Sequence, residues 1–281
     1  MLIIFNTTKV QINQEIKLTT LKEQLEFLRQ IQTIQPIKKI NTQYSDKRLI
    51  SKNLSKTYKR IKVLDNVSID LDIGEVVGLL GPNGAGKTTC FYIIAGLIKP
   101  DNGIVNIGKT DITGYPVYER ARIGLGYLPQ EMSIFKGLSV EDNLLSIIET
   151  KEFDNHKRYQ ILEDLLVEFN ITKIRSSLGI TLSGGERRRV EIARCIASNP
   201  THILLDEPFS GIDPIAIQDL KNLIGYLKQR KIGVLITDHN VKDTLDIVDR
   251  AYVLYDGKIL LKGNPFEIKN DQKVKSVYLG K

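Results

Sequence analysis

The segment Gly81-Pro82-Asn83-Gly84-Ala85-Gly86-Lys87-Thr88-Thr89 satisfies the pattern GxxxxGK[ST]. It follows Val76-Val77-Gly78-Leu79-Leu80, a short apolar run that suits a buried strand, and it opens a helical stretch. In that setting the glycines let backbone N–H groups turn inward around a triphosphate, and the helix N-terminus adds a favourable field. Lys87 reaches the β- and γ-phosphates and Thr88 offers its hydroxyl to Mg2+. The reading is nucleotide binding.

Working outward, Ile203-Leu204-Leu205 and Gly233-Val234-Leu235-Ile236 are further buried-strand candidates, each followed by polar residues. Helical periods lie between them, as over 212–229. Buried strands alternating with helices predict a mostly parallel sheet covered on both faces, an α/β fold. Residues from about 138 to 182 are instead helix-rich, with apolar Leu144, Ile147, Ile148, Leu162, Leu165, Leu166 and Phe169 at helical spacing. They predict a helical subdomain inserted at about 131–182.

The chain has 281 residues, 42 % hydrophobic and 26 % charged, which suits one large domain or one domain with an insertion. Its apolar runs reach about five or six residues, far below the ~18 of a membrane-spanning helix. Met1-Leu-Ile-Ile-Phe5 is too short for a signal peptide's apolar region. Two cysteines, Cys90 and Cys195, make no disulfide framework. These features exclude secreted, collagenous and integral-membrane classes and predict a soluble intracellular protein.

Residues 1–47 read as an N-terminal extension without glycine. Leu18, Leu21, Leu25 and Leu28, with Ile31 one turn on, fit one amphipathic helix. An extension without function, or an early start codon, fits as well, and the role stays open. Net charge is +7, and Lys38, Lys39, Lys47, Arg48, Lys52, Lys56, Lys59 and Arg60 face only Asp46 between residues 37 and 60. Such a strip suits an anionic surface or a solvated linker and strand edge. No aromatic platform or zinc spacing accompanies it, so no nucleic-acid partner is expected.

Two further runs carry chemistry. Thr201-His-Ile-Leu-Leu-Asp206-Glu207-Pro208 is a buried strand delivering two carboxylates at its C-terminal end. Adjacent strand residues point to opposite sides, so Asp206 is assigned to the metal and Glu207 to the attacking water as general base. Standing alone, the pair would read as ordinary strand-end acids. Leu182-Ser183-Gly184-Gly185-Glu186 opens an apolar-periodic helix, with Ser183 as N-cap and Glu186 three residues on. A capping box alone does not need the two glycines, which allow an anion close to bare backbone N–H groups.

In this order the motifs resemble the ATP-binding-cassette (ABC) ATPase family: Gly81–Thr88, Gln130 in Tyr-Leu-Pro-Gln, Leu182–Glu186, Ile203–Glu207, Ser210-Gly-Ile-Asp213, and His239. The resemblance covers about 48–281. It implies a P-loop ATPase core with an N-terminal antiparallel β part, and a head-to-tail homodimer holding two ATP molecules with Mg2+. Each nucleotide would lie between one subunit's Gly81–Thr89 and the other's Ser183, Gly184 and Gly185. By the same resemblance Tyr58 stacks on adenine, Gln130 senses Mg2+ and the γ-phosphate, and His239 contacts the γ-phosphate. Glu207, His239 and Gln130 form the catalytic set, and Thr88, Gln130 and Asp206 the metal set.

Within the family, Gln130-Glu-Met-Ser-Ile-Phe135 and Glu186-Arg-Arg-Arg-Val-Glu191 look like the ATPases of bacterial lipopolysaccharide export. Branched-chain amino-acid importer ATPases are the alternative, followed by a soluble non-transport ABC ATPase. The resemblance implies two transmembrane subunits docking near Phe135, with the chain peripheral on the cytoplasmic face of the inner membrane. Lys136 stands where the family usually has Arg, which keeps the charge and loses the planar fork. The leader 1–47, and an end at Lys281 without the acidic and aromatic tail many members append, depart from the pattern.

Overall fold

The computed structural model describes residues 47–131, 133–210 and 214–279. The amphipathic helix expected within the leader and the Asp213 position lie outside them. Three strands form the centre: β3 (Val76–Leu80), β7 (His202–Asp206) and β8 (Gly233–Thr237), each buried along its whole length. β6 (Leu125–Leu128), β9 (Arg250–Tyr255) and β10 (Lys258–Gly263) complete a six-stranded sheet in the order β10-β9-β3-β8-β7-β6. Every pairing is parallel except β10 on β9. A parallel strand buried on both sides needs a mostly apolar run, which Val76–Leu80, Ile203–Leu205 and Val234–Ile236 supply; the polar His202, Asp206 and Thr237 stand at strand ends.

The two-residue period of the strands sorts the core into two bodies. Val77, Leu79, Leu204 and Leu235 face helix α1 (Lys87–Ala95) and a second sheet. That sheet is antiparallel, ordered β2-β1-β4-β5 from β1 (Leu49–Tyr58), β2 (Ile61–Leu71), β4 (Asn102–Ile107) and β5 (Thr110–Asp111). Val76, Leu80, Ile203, Leu205, Val234 and Ile236 face the other way, toward α5 (Gly184–Ala197) and α6 (Pro214–Gln229). So α1 lies between the sheets, and its N-terminus is the phosphate-loop end.

The helix-rich stretch contains α3 (Val140–Ile148) and α4 (Asn155–Glu168), capped by Ser139 and Asp154. Leu144, Ile148, Leu162, Leu165, Leu166 and Phe169 are buried as their spacing requires. They join the same apolar body as one face of the central sheet, so the insertion continues the core. Glu168 strengthens the junction, accepting from Tyr226 Oη at 2.5 Å and from Arg230, both in the α6 region.

The basic strip becomes strand edge and hairpin tip. Arg48 pairs with Asp72 at 2.5 Å and Lys56 with Asp101 at 2.8 Å, acids that lie beyond the strip in sequence. Lys59 and Arg60 form the turn between β1 and β2, both at positive φ. Short α2 (Val117–Arg122) carries Arg120, which is buried; α7 (Val241–Leu245) and α8 (Pro265–Asn270) close the chain's second half.

Candidate nucleotide site

Parallel register brings the C-terminal ends of three strands side by side. Leu79 pairs with Thr237, and Asp206 pairs with Thr237 from the other side. Ligands of open α/β sheets bind at this edge, because the loops that leave the strands there carry the functional groups. The phosphate loop leaves β3, the acids leave β7, and His239 leaves β8.

Backbone geometry explains the loop's composition. Gly81 has φ +148°, and a Cβ there would stand 2.1 Å from the Leu254 carbonyl oxygen. Gly86, at φ +100°, is the residue before α1, and its Cβ would meet the Val63 carbonyl oxygen at 2.6 Å. Neither site accepts a side chain without displacing a backbone strand. Asn83 and Gly84 are exposed at the tip, Ala85 is buried, and Pro82 and Thr89 are partly so. Lys87 folds back, donating to the carbonyls of Gly81 at 2.7 Å and Pro82 at 2.9 Å. Burial lowers its pKa, and the charge of Glu207 opposes that shift. Thr88 is exposed at the first turn.

Asp206 ends β7 almost fully buried. Its carboxyl pKa is pushed up to about 6 by burial, against a hydrogen bond from Tyr127 Oη at 3.3 Å. Glu207 is not a strand residue as the alternation argument required. It lies one step past the strand in the left-handed region, φ +43°, with its amide donating to the Thr237 carbonyl at 2.7 Å. A non-glycine residue in that region costs of order 1 kcal/mol, and such strain clusters at functional sites. The turn, rather than the pleat, sends Asp206 and Glu207 in different directions. His239 Nδ1 stands 3.4 Å from Glu207 Oε2, and its side chain is 59 % exposed.

Two residues at this edge were not singled out from sequence. Asp238 is fully buried, accepts from the amides of Phe209 at 2.8 Å and Asn240 at 2.7 Å, and lies 3.6 Å from His239 Nδ1. It ties the loop after Glu207 to the loop bearing His239; burial raises its pKa against those two amides. Tyr278, in the turn Lys275–Leu279, buries its hydroxyl beside the Gly81 backbone and the Asp238 carboxylate, and burial raises its pKa. A single aspartate directly before the histidine was the available signal for Asp238; Tyr278 stands far from the other site residues in sequence.

The remaining predicted residues sit further out. Tyr58 is 42 % exposed at the end of β1, on the hairpin whose second strand lays Val63 over Gly86. Gln130 is exposed two residues past β6, one strand over from Asp206. Ser183, Gly184 and Gly185 form the start of α5, where Ser183 and Glu186 make a reciprocal capping box. Among the described residues no hydrogen bond links Ser183–Gly185 to the phosphate loop of the same chain. Phe135 is 52 % exposed on the loop that follows Gln130.

A phosphate loop on an α1 N-terminus, a buried strand-end aspartate and a glutamate–histidine pair at one sheet edge define a P-loop nucleoside-triphosphatase. The family model described as ABC transporter matches residues 64–210. The lipopolysaccharide export system ATP-binding protein LptB of Haemophilus influenzae is 52 % identical over 233 residues, covering 83 % of this chain and 97 % of that protein. A probable ABC transporter ATP-binding protein of Azorhizobium caulinodans is 55 % identical, covering 81 % of each. Among solved structures, an ATP-binding cassette of an ABC transporter in its ADP conformation superimposes with TM-score 0.72 at 30 % identity, over 83 % of this chain and 98 % of that one. The chain belongs to the ABC transporter ATP-binding family, whose members hydrolyse ATP as subunits of transporters.

Proposed function

We propose that this chain is the ATPase subunit that powers lipopolysaccharide extraction from the inner membrane toward the outer membrane. The likeness to LptB over 97 % of that protein's length supports the transport system, and favours it over an amino-acid importer. The approach of Glu207 to His239 at 3.4 Å, across the sheet edge from Lys87, is the observation that carries the chemistry.

ATP enters with its phosphates on the backbone N–H groups of Gly81–Thr89 and its adenine against Tyr58. Lys87 turns from the Gly81 and Pro82 carbonyls to the β- and γ-phosphates. Glu207 accepts a proton from water as the water oxygen bonds to the γ-phosphorus and the bond to the ADP oxygen breaks. His239, whose Nδ1 lies 3.4 Å from Glu207 and 3.6 Å from Asp238, presents Nε2 to the γ-phosphate. Mg2+ fits the donor set, since Thr88, Gln130 and Asp206 offer only hard oxygens and the buried Asp206 carboxyl gains from a cation; it would neutralise phosphate charge. Among the described residues no three carboxylate, histidine or cysteine side chains form a metal cluster, so phosphate and water oxygens would supply the rest of its ligands.

Ser183, Gly184 and Gly185 serve the nucleotide of a second copy in a head-to-tail homodimer. Closure and opening of that dimer move two transmembrane subunits of LptF/LptG type docked near Phe135, which hold the chain at the cytoplasmic face of the inner membrane. No described helix is long and apolar enough to cross a membrane itself. Glu207→Gln is the test: it should bind ATP, trap the closed dimer on size-exclusion chromatography and lose at least 100-fold in kcat. Normal turnover would refute the general-base role. Purification from native membranes should bring two lipopolysaccharide-export membrane subunits; amino-acid permeases in their place would refute the transport assignment alone.

A further inference from the structure

The loop carrying Phe135 lies outside the regular helices and strands, and buried side chains from two helices hold it. Asn143 of α3 is fully buried and spends itself on the loop. Its Oδ1 accepts from the Phe135 amide at 2.8 Å, and its Nδ2 donates to the carbonyls of Phe135 at 3.0 Å and Ser139 at 2.9 Å. From α5, buried Glu191 accepts from the Ser133 amide at 2.8 Å, and Arg194 donates to the Ser133 carbonyl. The Arg194 guanidinium also stands 5.1 Å from the Phe135 ring centre.

The same loop is laddered to the segment that leads into α5. Gly179 donates to the Leu138 carbonyl at 2.9 Å and Ile180 to the Lys136 carbonyl at 3.0 Å. Ser183 follows within three residues and caps α5. A helix is stiff over the three turns between Ser183 and Arg194. A displacement of Phe135 therefore cannot be absorbed inside the loop without breaking bonds to buried partners, each of which would be left unpaired.

We propose that Arg194, with Asn143, is a positioning residue that fastens the Ser133–Leu138 loop to the helix bearing Ser183–Gly185, so that force applied at Phe135 reaches the nucleotide of the second copy. This rests on the reading of Phe135 as the docking point of the membrane subunits. Arg194 touches neither nucleotide nor membrane subunit in this role. It joins two surfaces that the reading above treats separately.

The test uses Arg194→Gln, with Arg194→Lys as the conservative variant that keeps the charge and loses the stacked fork. In the isolated full chain, amide hydrogen exchange over Ser133–Leu138 should quicken at least tenfold for Gln and by less for Lys. In the complex with its membrane subunits, the ratio of the complex's kcat to that of the isolated chain should fall at least fivefold for Gln and recover in part for Lys. General destabilisation lowers both kcat values and leaves their ratio in place. Unchanged exchange, or quickened exchange with an unchanged ratio, overturns the proposal. Phe135→Asp separates the two levels: if it releases the membrane subunits while Arg194→Gln keeps the wild-type ratio, only this inference fails. If Phe135→Asp retains them, the docking reading fails and takes the inference with it.

Discussion

Arg120→Met should destabilise the protein by about 3–5 kcal/mol, although Arg120 touches no nucleotide-site residue. The guanidinium is buried, makes no ion pair with a carboxylate among the described residues, and caps the far end of the phosphate-loop helix α1. It donates to the carbonyls of Ile93 at 2.8 Å and Ile94 at 2.6 Å, and to those of Tyr115 at 2.8 Å and Thr113 at 3.1 Å. These are last-turn and loop carbonyls that helix geometry leaves without an internal donor. Methionine keeps most of the apolar stem. The Ile93 carbonyl then retains the Gly96 amide at 3.2 Å, and the other three lose the guanidinium. At about 1–3 kcal/mol for each stranded buried acceptor the loss reaches ~6 kcal/mol. Relief of the buried charge, whose pKa burial pushes down to about 10, offsets part of it. Urea unfolding of the ligand-free chain reads the result. With a slope of about 2–3 kcal/mol/M the midpoint should fall by roughly 1.5 M at unchanged slope. Arg120→Lys, a cation with no fork, should fall between. A midpoint shift in Arg120→Met below about 0.3 M would refute the cap argument.

Lys59 and Arg60 occupy a two-residue hairpin turn at φ +46° and +72°, with Tyr58 and Ile61 paired across it. Both angles belong to a type I′ turn, which favours Asn-Gly; Lys59→Asn with Arg60→Gly should raise stability by about 1 kcal/mol, read as a higher urea midpoint. His202 is buried, its Nδ1 3.1 Å from Thr201 Oγ1, and burial lowers its pKa to about 4. A histidine depressed on folding leaves the unfolded state binding more protons between about pH 4 and 6.5, so its contribution is intact above 6.5 and lost as pH falls toward 4. His202→Gln should narrow the gap between urea-derived stabilities at pH 7 and 4.5 by about 2–3 kcal/mol. Asp206, raised by burial to about 6, acts with the opposite sign over the same window and is common to both chains, so the difference between them isolates His202.

What could be read from sequence was what local pattern encodes. β3, β7 and β8 announce themselves because the middle of a strand buried on both faces must be apolar, as in Ile203–Leu205 and Val234–Ile236. The phosphate loop does so because backbone approach at Gly81 and Gly86 excludes any side chain. Arg120 shows the limit. In Val117-Tyr-Glu-Arg-Ala-Arg122 it has the look of a solvated helix charge, and only the tertiary placement of α2 against the end of α1 makes it a buried cap. Asn143 and Arg194 are hidden for the same reason, since their partners lie 8 and 61 residues away. Glu207 was reached by an argument with the wrong geometry: alternation along a strand was assumed, and the strand stops one residue earlier. The basic strip was overcounted because its counter-charges, Asp72 and Asp101, come from outside the strip.

The groups read as nucleotide ligands have hydrogen-bond partners within the chain. Lys87 donates to two carbonyls of its own loop, Ser183 is engaged by Glu186, and Asp206 accepts from Tyr127 Oη. For Lys87 and Asp206, which are at least partly buried, such partners lower the cost of burying a polar group, whereas Ser183 is exposed and gains a helix cap. Nucleotide must therefore exchange one satisfied set for another, and the net gain per group is small compared with the bare strength of each bond. A site built this way releases as well as binds. Only a contact made by both copies at once shifts the balance strongly toward closure, because it exists in one state and has no substitute in the other. Among the described residues the exposed N-terminus of α5 has no hydrogen bond to the phosphate loop, which leaves it free to make the contact across the dimer that the proposed function requires.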